Sequence, residues 1–215
     1  MKKLLILISG QGSNLEALLA ARQAGDLPVD IVAVISNRPQ AVGLEKAASA
    51  GIETLVINHK DYPEREQFDA ALAAAIDAYA PDVIALAGFM RILSDGFVRR
   101  YEGRMVNIHP SLLPAFPGLN THQRALEEGV RIHGCTVHFV TPQLDHGPII
   151  VQAAVPVRDD DDAQKLAARV LQMEHRIYPL ALRWLVEDRL HLQGQRVMID
   201  APMGEHSPFI VPSAG

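Results

Sequence analysis

The sequence has few of the features that mark a secreted, membrane-bound or nucleic-acid-binding protein. Only one of its 215 residues is a cysteine, Cys135, so the chain can form neither an internal disulfide nor a zinc site with several thiolates. Its 20 basic residues are outnumbered by 25 acidic ones, which leaves a net charge of -5 and no basic surplus to bind a polyanion. These shortages favour a cytoplasmic protein that binds neither nucleic acid nor an anionic membrane surface.

Long apolar runs are also missing from the sequence. The first residues resemble the start of a signal peptide, but the apolar run ends at Ser9-Gly10 and no small-residue cleavage site follows it. A membrane helix needs roughly 18 apolar residues, and Asp77 interrupts the alanine-rich stretch at 70–80. The sequence therefore predicts a soluble chain whose first apolar run is a strand.

Apolar runs of strand length alternate with helical patterns in the first half of the chain. The strand-like runs lie at 3–9, 29–36, 52–57 and 82–87, and the helical patterns lie at 14–24, 44–50 and 63–79. Strands that are apolar throughout and joined by helices are typical of a parallel sheet covered on both faces. We therefore predict a Rossmann-like, doubly wound α/β fold with a mostly parallel sheet and helices on both faces.

The second half has shorter elements around a loop at 110–118 that contains three prolines. The predicted elements are a short helix at 94–101, strands at 104–109, 133–140 and 148–157, a long helix from 159–162 to near 189, and a hairpin at 190–198. We expect a single domain over residues 1–200, followed by a loosely ordered tail over 201–215.

A glycine-rich turn follows the first predicted strand. The run Ser9-Gly10-Gln11-Gly12-Ser13-Asn14-Leu15 places backbone N–H groups at a helix N-terminus, where the helix dipole favours an anion. Leu15 stands where the dinucleotide fingerprint has its third glycine, and the lysine of a P-loop is missing. The pattern suits one phosphate, with Ser13 and Asn14 as side-chain donors, about as well as it suits an ordinary turn capped by Ser13.

A polar pair ends the predicted strand at 104–109. Asn107 and His109 are two positions apart, so an extended strand directs both side chains to one face. They lie at the carboxyl end of the strand, where open parallel sheets bind ligands. An amide beside an imidazole could stabilise an oxyanion and transfer a proton near neutral pH. The alternative is that His109 only caps the turn before Pro110.

An aspartate follows in a predicted tight turn at 144–148. If the fold brings Asp145 beside His109, its carboxylate would favour the imidazolium form and fix the orientation of the ring. Otherwise Asp145 is an ordinary turn residue. A metal site that includes His146 is disfavoured because no His-x-x-x-His pair supports it, and a Ser111 nucleophile is disfavoured because no Gly-x-Ser-x-Gly turn surrounds it.

Six segments carry a family resemblance, in order, over roughly the first 190 residues. They are LISGQGSNLEALL, ISNRPQAVGLEKAASAGI, PDVIALAGFMRILS, VNIHPSLLPAFPGLNTHQRAL, GCTVHFVTPQLDHGPII and MEHRIYPLAL. Together they resemble the folate-dependent phosphoribosylglycinamide formyltransferases. Enzymes that use formyltetrahydrofolate share the Asn-x-His pattern with a downstream aspartate, and the Gly-Ser-Asn turn narrows the resemblance to this family.

The resemblance implies transfer of a formyl group from 10-formyltetrahydrofolate to the amine of glycinamide ribonucleotide in purine biosynthesis. It implies that the ribonucleotide is bound by Gly12, Ser13, Asn14 and Glu174. It also implies that the folate is bound by Arg65, Met90, Arg91, Ile92, Leu93 and Asn107.

The resemblance assigns the chemistry to three residues and needs no metal. Asn107 and His109 would stabilise the tetrahedral intermediate, while Asp145 would support a protonated His109 and organise a water that carries protons. Two positions depart from the family pattern, since many relatives have histidine in place of Asn120 and a small residue or an acid in place of His146. These departures bear on substrate contacts and leave the class of reaction unchanged.

Two alternative functions remain at this point. One is a hydrolase that releases formate from 10-formyltetrahydrofolate, although such relatives carry an extra amino-terminal domain and the first strand here begins at residue 3. The other is a non-catalytic module that binds a phosphorylated metabolite. A formyltransferase for initiator tRNA is disfavoured by chain length and acidic charge. We expect small-molecule substrates and a monomer or homodimer.

Overall fold

The structure is a computed structural model that describes residues 1–200 and 210–211. Contacts divide the chain into two compact units, one of residues 1–107 and 140–142 and the other of residues 108–139 and 143–215. The single domain expected over 1–200 stays a prediction. The loose tail expected over 201–215 lies outside the described residues, apart from 210–211.

The first unit alternates parallel strands with helices. Its elements are β1 (Lys2–Ile8), α1 (Ser13–Ala24), β2 (Val29–Ser36), α2 (Val42–Ser49), β3 (Thr54–Val56), a 3₁₀ turn (His59–Asp61), α3 (Arg65–Tyr79), β4 (Val83–Leu86), α4 (Asp95–Arg100) and β5 (Met105–His109). β5 runs past the boundary of the unit by two residues. The strands pair in parallel in the order β3-β2-β1-β4-β5. This order is that of the predicted Rossmann-like fold, which is confirmed.

Helices cover both faces of this parallel sheet. Leu5 and Leu7 of β1 belong to a buried cluster with Phe68 of α3 and with residues of α4. Alternation directs Ile8 to the opposite face, where it lies against Gly43 of α2. Burial of each such side chain contributes about 1.5–3 kcal/mol, so the two apolar faces of β1 hold the layers together.

The second unit combines antiparallel strands with a long helix. Its elements are α5 (Thr121–Glu127), β6 (Ile132–Phe139), β7 (Ile149–Pro156), α6 (Ala163–Val186), β8 (Leu190–Gln193), β9 (Arg196–Ile199) and β10 (Ile210–Val211). β6 and β10 pair with β7 antiparallel, and β8 and β9 form the predicted hairpin. α6 packs on β6 and β7 and ends three residues before the predicted position. Among the described residues, no helix is long and apolar enough to cross a membrane.

The carboxylate of Asp161, just before α6, is expected to stabilise the fold. Asp161 accepts two hydrogen bonds from the Arg169 guanidinium, at 2.7 and 2.8 Å, and these bonds lower the pKa of Asp161 to about 2. A lowered pKa stabilises the fold above the ordinary value of 3.8, and this stabilisation is lost as the pH falls towards 2. We expect Asp161→Asn to lower the free energy of unfolding by on the order of 1 kcal/mol at pH 7. Urea denaturation across pH 7 to 3 would measure the difference and its loss at low pH.

Asp160→Asn is the matched control for that variant. Asp160 is exposed and lies 3.5 Å from the Lys165 ammonium, so its ion pair is screened by solvent. We expect this control to keep the stability of the wild type throughout the pH range. A destabilisation of Asp161→Asn that does not change with pH would contradict the role assigned to the ionised carboxylate.

Candidate active site

The turn between β1 and α1 has a backbone that requires glycine. Gly12 precedes α1 with φ at 72°, in the left-handed region, and a Cβ at this position would lie 2.8 Å from Gly43 Cα. The Gly43 N–H donates to Gly10 O at 3.0 Å, which ties the turn to the start of α2. Gly12 rather than Ser13 is the N-cap, and no side chain caps the helix. The alternative of a turn capped by Ser13 is therefore wrong, and Ser13 is the first residue of the helix.

A buried hydrogen-bond network lies at the carboxyl ends of β1 and β2. Ser9 Oγ donates to Asn37 Oδ1 at 2.5 Å and accepts the Met90 N–H at 2.7 Å. His59 Nδ1 lies 2.8 Å from Asn37 O, to which it donates. The network fixes Met90 at the start of the segment to which the resemblance assigns folate. Ser9, Asn37 and His59 were not predicted to have a role, although polar residues at the ends of two neighbouring strands are a signal of such a network.

Three of the residues assigned to folate by resemblance, Arg65, Met90 and Ile92, are exposed, while Arg91, Leu93 and Asn107 are half-buried. Met90 and Ile92 are 59% and 55% exposed, while Leu93 packs on the core cluster of the first unit. The Arg91 guanidinium lies 4.6 Å from the centre of an aromatic ring of α3, and Arg65 is exposed at the first residue of that helix. Exposed apolar side chains beside a cation can bind a ligand that has both an aromatic ring and a carboxylate.

In the second unit, Asp145 lies beside His109. The distance from His109 Nδ1 to Asp145 Oδ2 is 3.6 Å, which suits an ion pair but is too long for a direct hydrogen bond. His109 Nε2 lies 3.0 Å from the carbonyl oxygen of Phe116, so Nε2 carries the proton of this bond. Asp145 Oδ2 accepts the Gly118 N–H at 2.8 Å. The proline-rich loop thus contacts both members of the pair, and both side chains are more than nine-tenths buried.

Three further histidines, His122, His133 and His138, lie close enough to interact electrostatically with His109, and none of them was predicted to have a function. The rings of His122 and His133 lie edge to face with centres 5.3 Å apart, and His133 also packs against Phe116. Burial lowers the pKa of His122, of His138 and of His133, the last to about 4. His133 is therefore neutral at pH 7 and adds no positive charge near His109.

Asn107 and Glu174, also predicted from the sequence, lie on regular elements. Asn107 is half-buried on β5, two positions before His109. Glu174 is buried on α6 and adds to the rise in pKa that burial causes at Cys135 and Tyr178. The Cys135 thiol therefore stays protonated and cannot act as a nucleophile.

The described residues give no support to the alternatives based on serine or metal chemistry. Ser111 is fully buried and its hydroxyl donates to Ala115 O at 2.6 Å, so it is not available as a nucleophile. Across 1–200 and 210–211, no three histidine, cysteine, aspartate or glutamate residues form a group that could hold a metal. His146 is exposed. Asn120 precedes α5 with φ at 56°, a left-handed conformation that asparagine tolerates.

Known proteins match this chain along most of its length. Residues 2–182 match the family described as formyl transferase. A phosphoribosylglycinamide formyltransferase of Escherichia coli (strain K12) is 49% identical over 92% of this chain and 93% of the relative. The crystal structure of glycinamide ribonucleotide transformylase 1 from Symbiobacterium toebii has a TM-score of 0.90 and 49% identity, covering 93% of this chain and 94% of that chain. A formyltetrahydrofolate deformylase from Pseudomonas putida KT2440 has a TM-score of 0.82 and 30% identity, covering 92% and 70%.

These matches confirm the resemblance found in the six segments of sequence. The transferases match at higher identity and over a larger share of their own length than the deformylase does. Because the family match extends over residues 2–182 and the identity to a relative reaches 49% along most of the chain, the protein belongs to the formyl transferase family.

Proposed function

We propose that this enzyme transfers the formyl group of 10-formyltetrahydrofolate to the amine of glycinamide ribonucleotide, a step of purine biosynthesis. The observation that carries the proposal is the buried pair of His109 and Asp145, held by the proline-rich loop in a member of the formyl transferase family. An imidazole beside a carboxylate is suited to stabilise an oxyanion and to transfer a proton.

The proposed reaction begins with attack of the neutral substrate amine on the formyl carbon. The formyl C=O becomes an oxyanion, to which Asn107 and His109 donate hydrogen bonds. The Nε2 proton of His109 is shared with Phe116 O, a neutral acceptor, and an oxyanion is a stronger acceptor for the same proton. Collapse of the intermediate breaks the bond from the formyl carbon to the folate nitrogen, which takes up a proton as the new amide nitrogen loses one. Asp145 favours the charged form of His109 during this exchange.

We assign the remaining ligand contacts to residues of each unit. The ribose phosphate binds the N–H groups at the start of α1, in the turn of Gly12, Ser13 and Asn14, where the helix dipole favours an anion. Glu174 holds the ribonucleotide near its amine. The folate binds a surface made of Arg65, Met90, Arg91, Ile92 and Leu93, with Asn107 at its formyl end.

The test is an assay of the purified protein with glycinamide ribonucleotide and 10-formyltetrahydrofolate. We expect formylated ribonucleotide and tetrahydrofolate in equal amounts, measured by chromatography and absorbance. Formate release at the same rate without ribonucleotide would replace the proposal with a hydrolase. Tight binding of the ribonucleotide without turnover of active folate would replace it with a non-catalytic binding module.

Phosphate binding by the turn between β1 and α1 can be tested separately, by replacing Gly12. Gly12→Ala places a Cβ 2.8 Å from Gly43 Cα on a residue with φ at 72°. Such strain costs on the order of 1–3 kcal/mol, and the turn can relieve it only by moving. Because the moved N–H groups no longer fit the phosphate, we expect the KM for the ribonucleotide to rise by about tenfold or more. Steady-state kinetics with the ribonucleotide varied would measure this effect.

Gly10→Ala is the matched control for that variant. Gly10 is in the same turn, but no atom lies within 4 Å of the position that its Cβ would take, and its φ is not in the left-handed region. We expect Gly10→Ala to keep the KM of the wild type. A Gly12→Ala enzyme with unchanged KM would contradict phosphate binding by this turn.

We further propose that the substrates are small molecules alone and that the enzyme is a cytoplasmic monomer or homodimer. The single cysteine, which is buried, supports a reducing compartment. Light scattering coupled to size-exclusion chromatography would measure the mass, and an assembly larger than a dimer would contradict this part of the proposal.

A further inference from the structure

We propose that Thr136 and Gln152 are positioning residues, which clamp the proline-rich loop at 110–118 and thereby set the tautomer and orientation of His109. The inference rests on the proposed function, because it assigns the clamp a part in formyl transfer. The tautomer and orientation of the His109 ring can, however, be observed without any turnover.

The centre of the clamp is the hydroxyl of Thr136, in a fully buried side chain on β6. Thr136 Oγ1 donates to Ser111 O at 2.7 Å and accepts the Leu113 N–H at 3.1 Å and Gln152 Nε2 at 2.9 Å. A hydroxyl has one proton and two lone pairs, so its capacity for hydrogen bonds is filled. Two of its three bonds go to the backbone of the loop.

Gln152 completes the clamp from the neighbouring strand. It lies directly opposite Thr136 in the antiparallel register of β6 and β7. Its Nε2 atom donates to Leu113 O at 2.9 Å as well as to the Thr136 hydroxyl. The N–H and C=O of Leu113 are therefore both held by side chains of the sheet, which leaves this part of the loop little freedom to shift.

The contact between loop and sheet also depends on a glycine of β6. A Cβ at Gly134 would lie 2.9 Å from Leu112 Cδ2 and 2.0 Å from Ala153 O. The loop and β7 both approach the backbone too closely for a side chain at this position. The loop is thus seated on β6 by packing and by the hydrogen bonds of Thr136.

The clamped end of the loop is connected to the end that contacts the catalytic pair. The Ser111 hydroxyl closes the loop by donating to Ala115 O at 2.6 Å, one residue before Phe116. Phe116 O then accepts the Nε2 proton of His109, and the Gly118 N–H donates to Asp145. Displacement of the clamped residues would move Phe116 O and so remove the acceptor that selects the Nε2–H tautomer.

Two variants weaken the clamp and one preserves it. Thr136→Val keeps the shape of the side chain and removes all three hydrogen bonds, whereas Thr136→Ser keeps the hydroxyl. Gln152→Met removes the amide donor at a half-buried position and serves if Thr136→Val does not fold. Each protein is measured by steady-state kinetics and by the ¹⁵N chemical shifts of the His109 ring at a pH where the ring is neutral.

We expect Thr136→Val to lower kcat by roughly tenfold, within the loss that a misplacement of about 1 Å can cause, with little change in the KM for the ribonucleotide. Its His109 nitrogen shifts should move from those of a pure Nε2–H form towards the average of the two tautomers. Gln152→Met should change both readouts in the same direction, and Thr136→Ser should restore both.

Asp161→Asn is the control for a general loss of stability, because its hydrogen bonds to Arg169 do not involve the loop. Unchanged nitrogen shifts in a folded Thr136→Val or Gln152→Met protein would overturn the inference. Equal changes in Asp161→Asn would also overturn it, since the effect would then follow stability alone. If the wild type forms no formylated product while the shifts follow the clamp, the proposed function fails and the positioning of His109 stands.

Discussion

Replacing His109 with alanine is expected to lower kcat by roughly 100- to 1,000-fold, the usual cost of losing one donor to an oxyanion. The variant loses Nε2, which lies 3.0 Å from Phe116 O and whose N–H we propose donates a hydrogen bond to the formyl oxygen as that oxygen becomes an oxyanion. The interaction strengthens as the oxyanion forms, so kcat should fall much more than KM rises. Stopped-time assays of the formylated product, with circular dichroism to verify folding, would measure the loss.

His191→Ala is the matched control for that measurement. His191 is also a histidine beside an aspartate, 2.5 Å from Asp200, but it is exposed on the hairpin of β8 and β9. We expect this variant to turn over at the rate of the wild type. If His109→Ala kept the same rate, the imidazole would have no part in the chemistry, and the alternative of a histidine that caps the turn before Pro110 would hold.

The sequence predicted the first unit well because its strands are continuous apolar runs. The predicted strand at 29–36 coincides with β2, and the run at 3–9 lies one residue from β1. Because both faces of these strands are buried, apolar and polar residues do not alternate along them. Helices that connect such strands require the strands to pair in parallel. The short helix α5 was missed, because it has only seven residues and starts after Asn120 without a side-chain cap.

The site could be predicted in part because its residues lie beside breaks in the chain. His109 ends a strand before a proline, and Asp145 lies in a turn. The adjacent residues in the sequence predict both placements. Their separation depends on how a strand end and a turn meet in space, which spacing along the chain does not give. The bond of His109 to Phe116 O follows from the shape of the loop at 110–118, of which the sequence shows only that it contains three prolines.

The contacts that hold the site were not predictable from the sequence. Thr136 lies within an apolar strand, where threonine is common for its shape alone. Its hydroxyl has a role because Gln152 lies opposite it and both side chains bind the loop at 110–118. This arrangement depends on strand register and tertiary packing, which the sequence does not show. Ser9 and His59 were overlooked for the same reason, since Asn37 joins them across separate strands.

Asp145→Asn is expected to lower kcat by roughly a hundredfold, at the lower end of what acid–base groups contribute. Asparagine matches aspartate in size and tolerates the left-handed backbone at this position, where φ is 50°. Its amide oxygen can still accept the Gly118 N–H, so the turn should fold as before. The variant lacks the negative charge 3.6 Å from His109 Nδ1, and the imidazolium loses the group that stabilises it. Product formation over a range of pH would measure the effect.

Comparison with two other variants separates the charge of Asp145 from its place in the turn. Asp159→Asn removes a charge from an exposed pair with Arg131 and should keep the rate of the wild type. Asp145→Ala removes the acceptor of the Gly118 N–H as well as the charge, so its rate should be no higher than that of Asp145→Asn and its stability lower. If Asp145→Asn instead worked within twofold of the wild type while Asp145→Ala failed, the carboxylate would serve the loop alone. The proton transfer would then belong to His109 and water without help from a neighbouring charge.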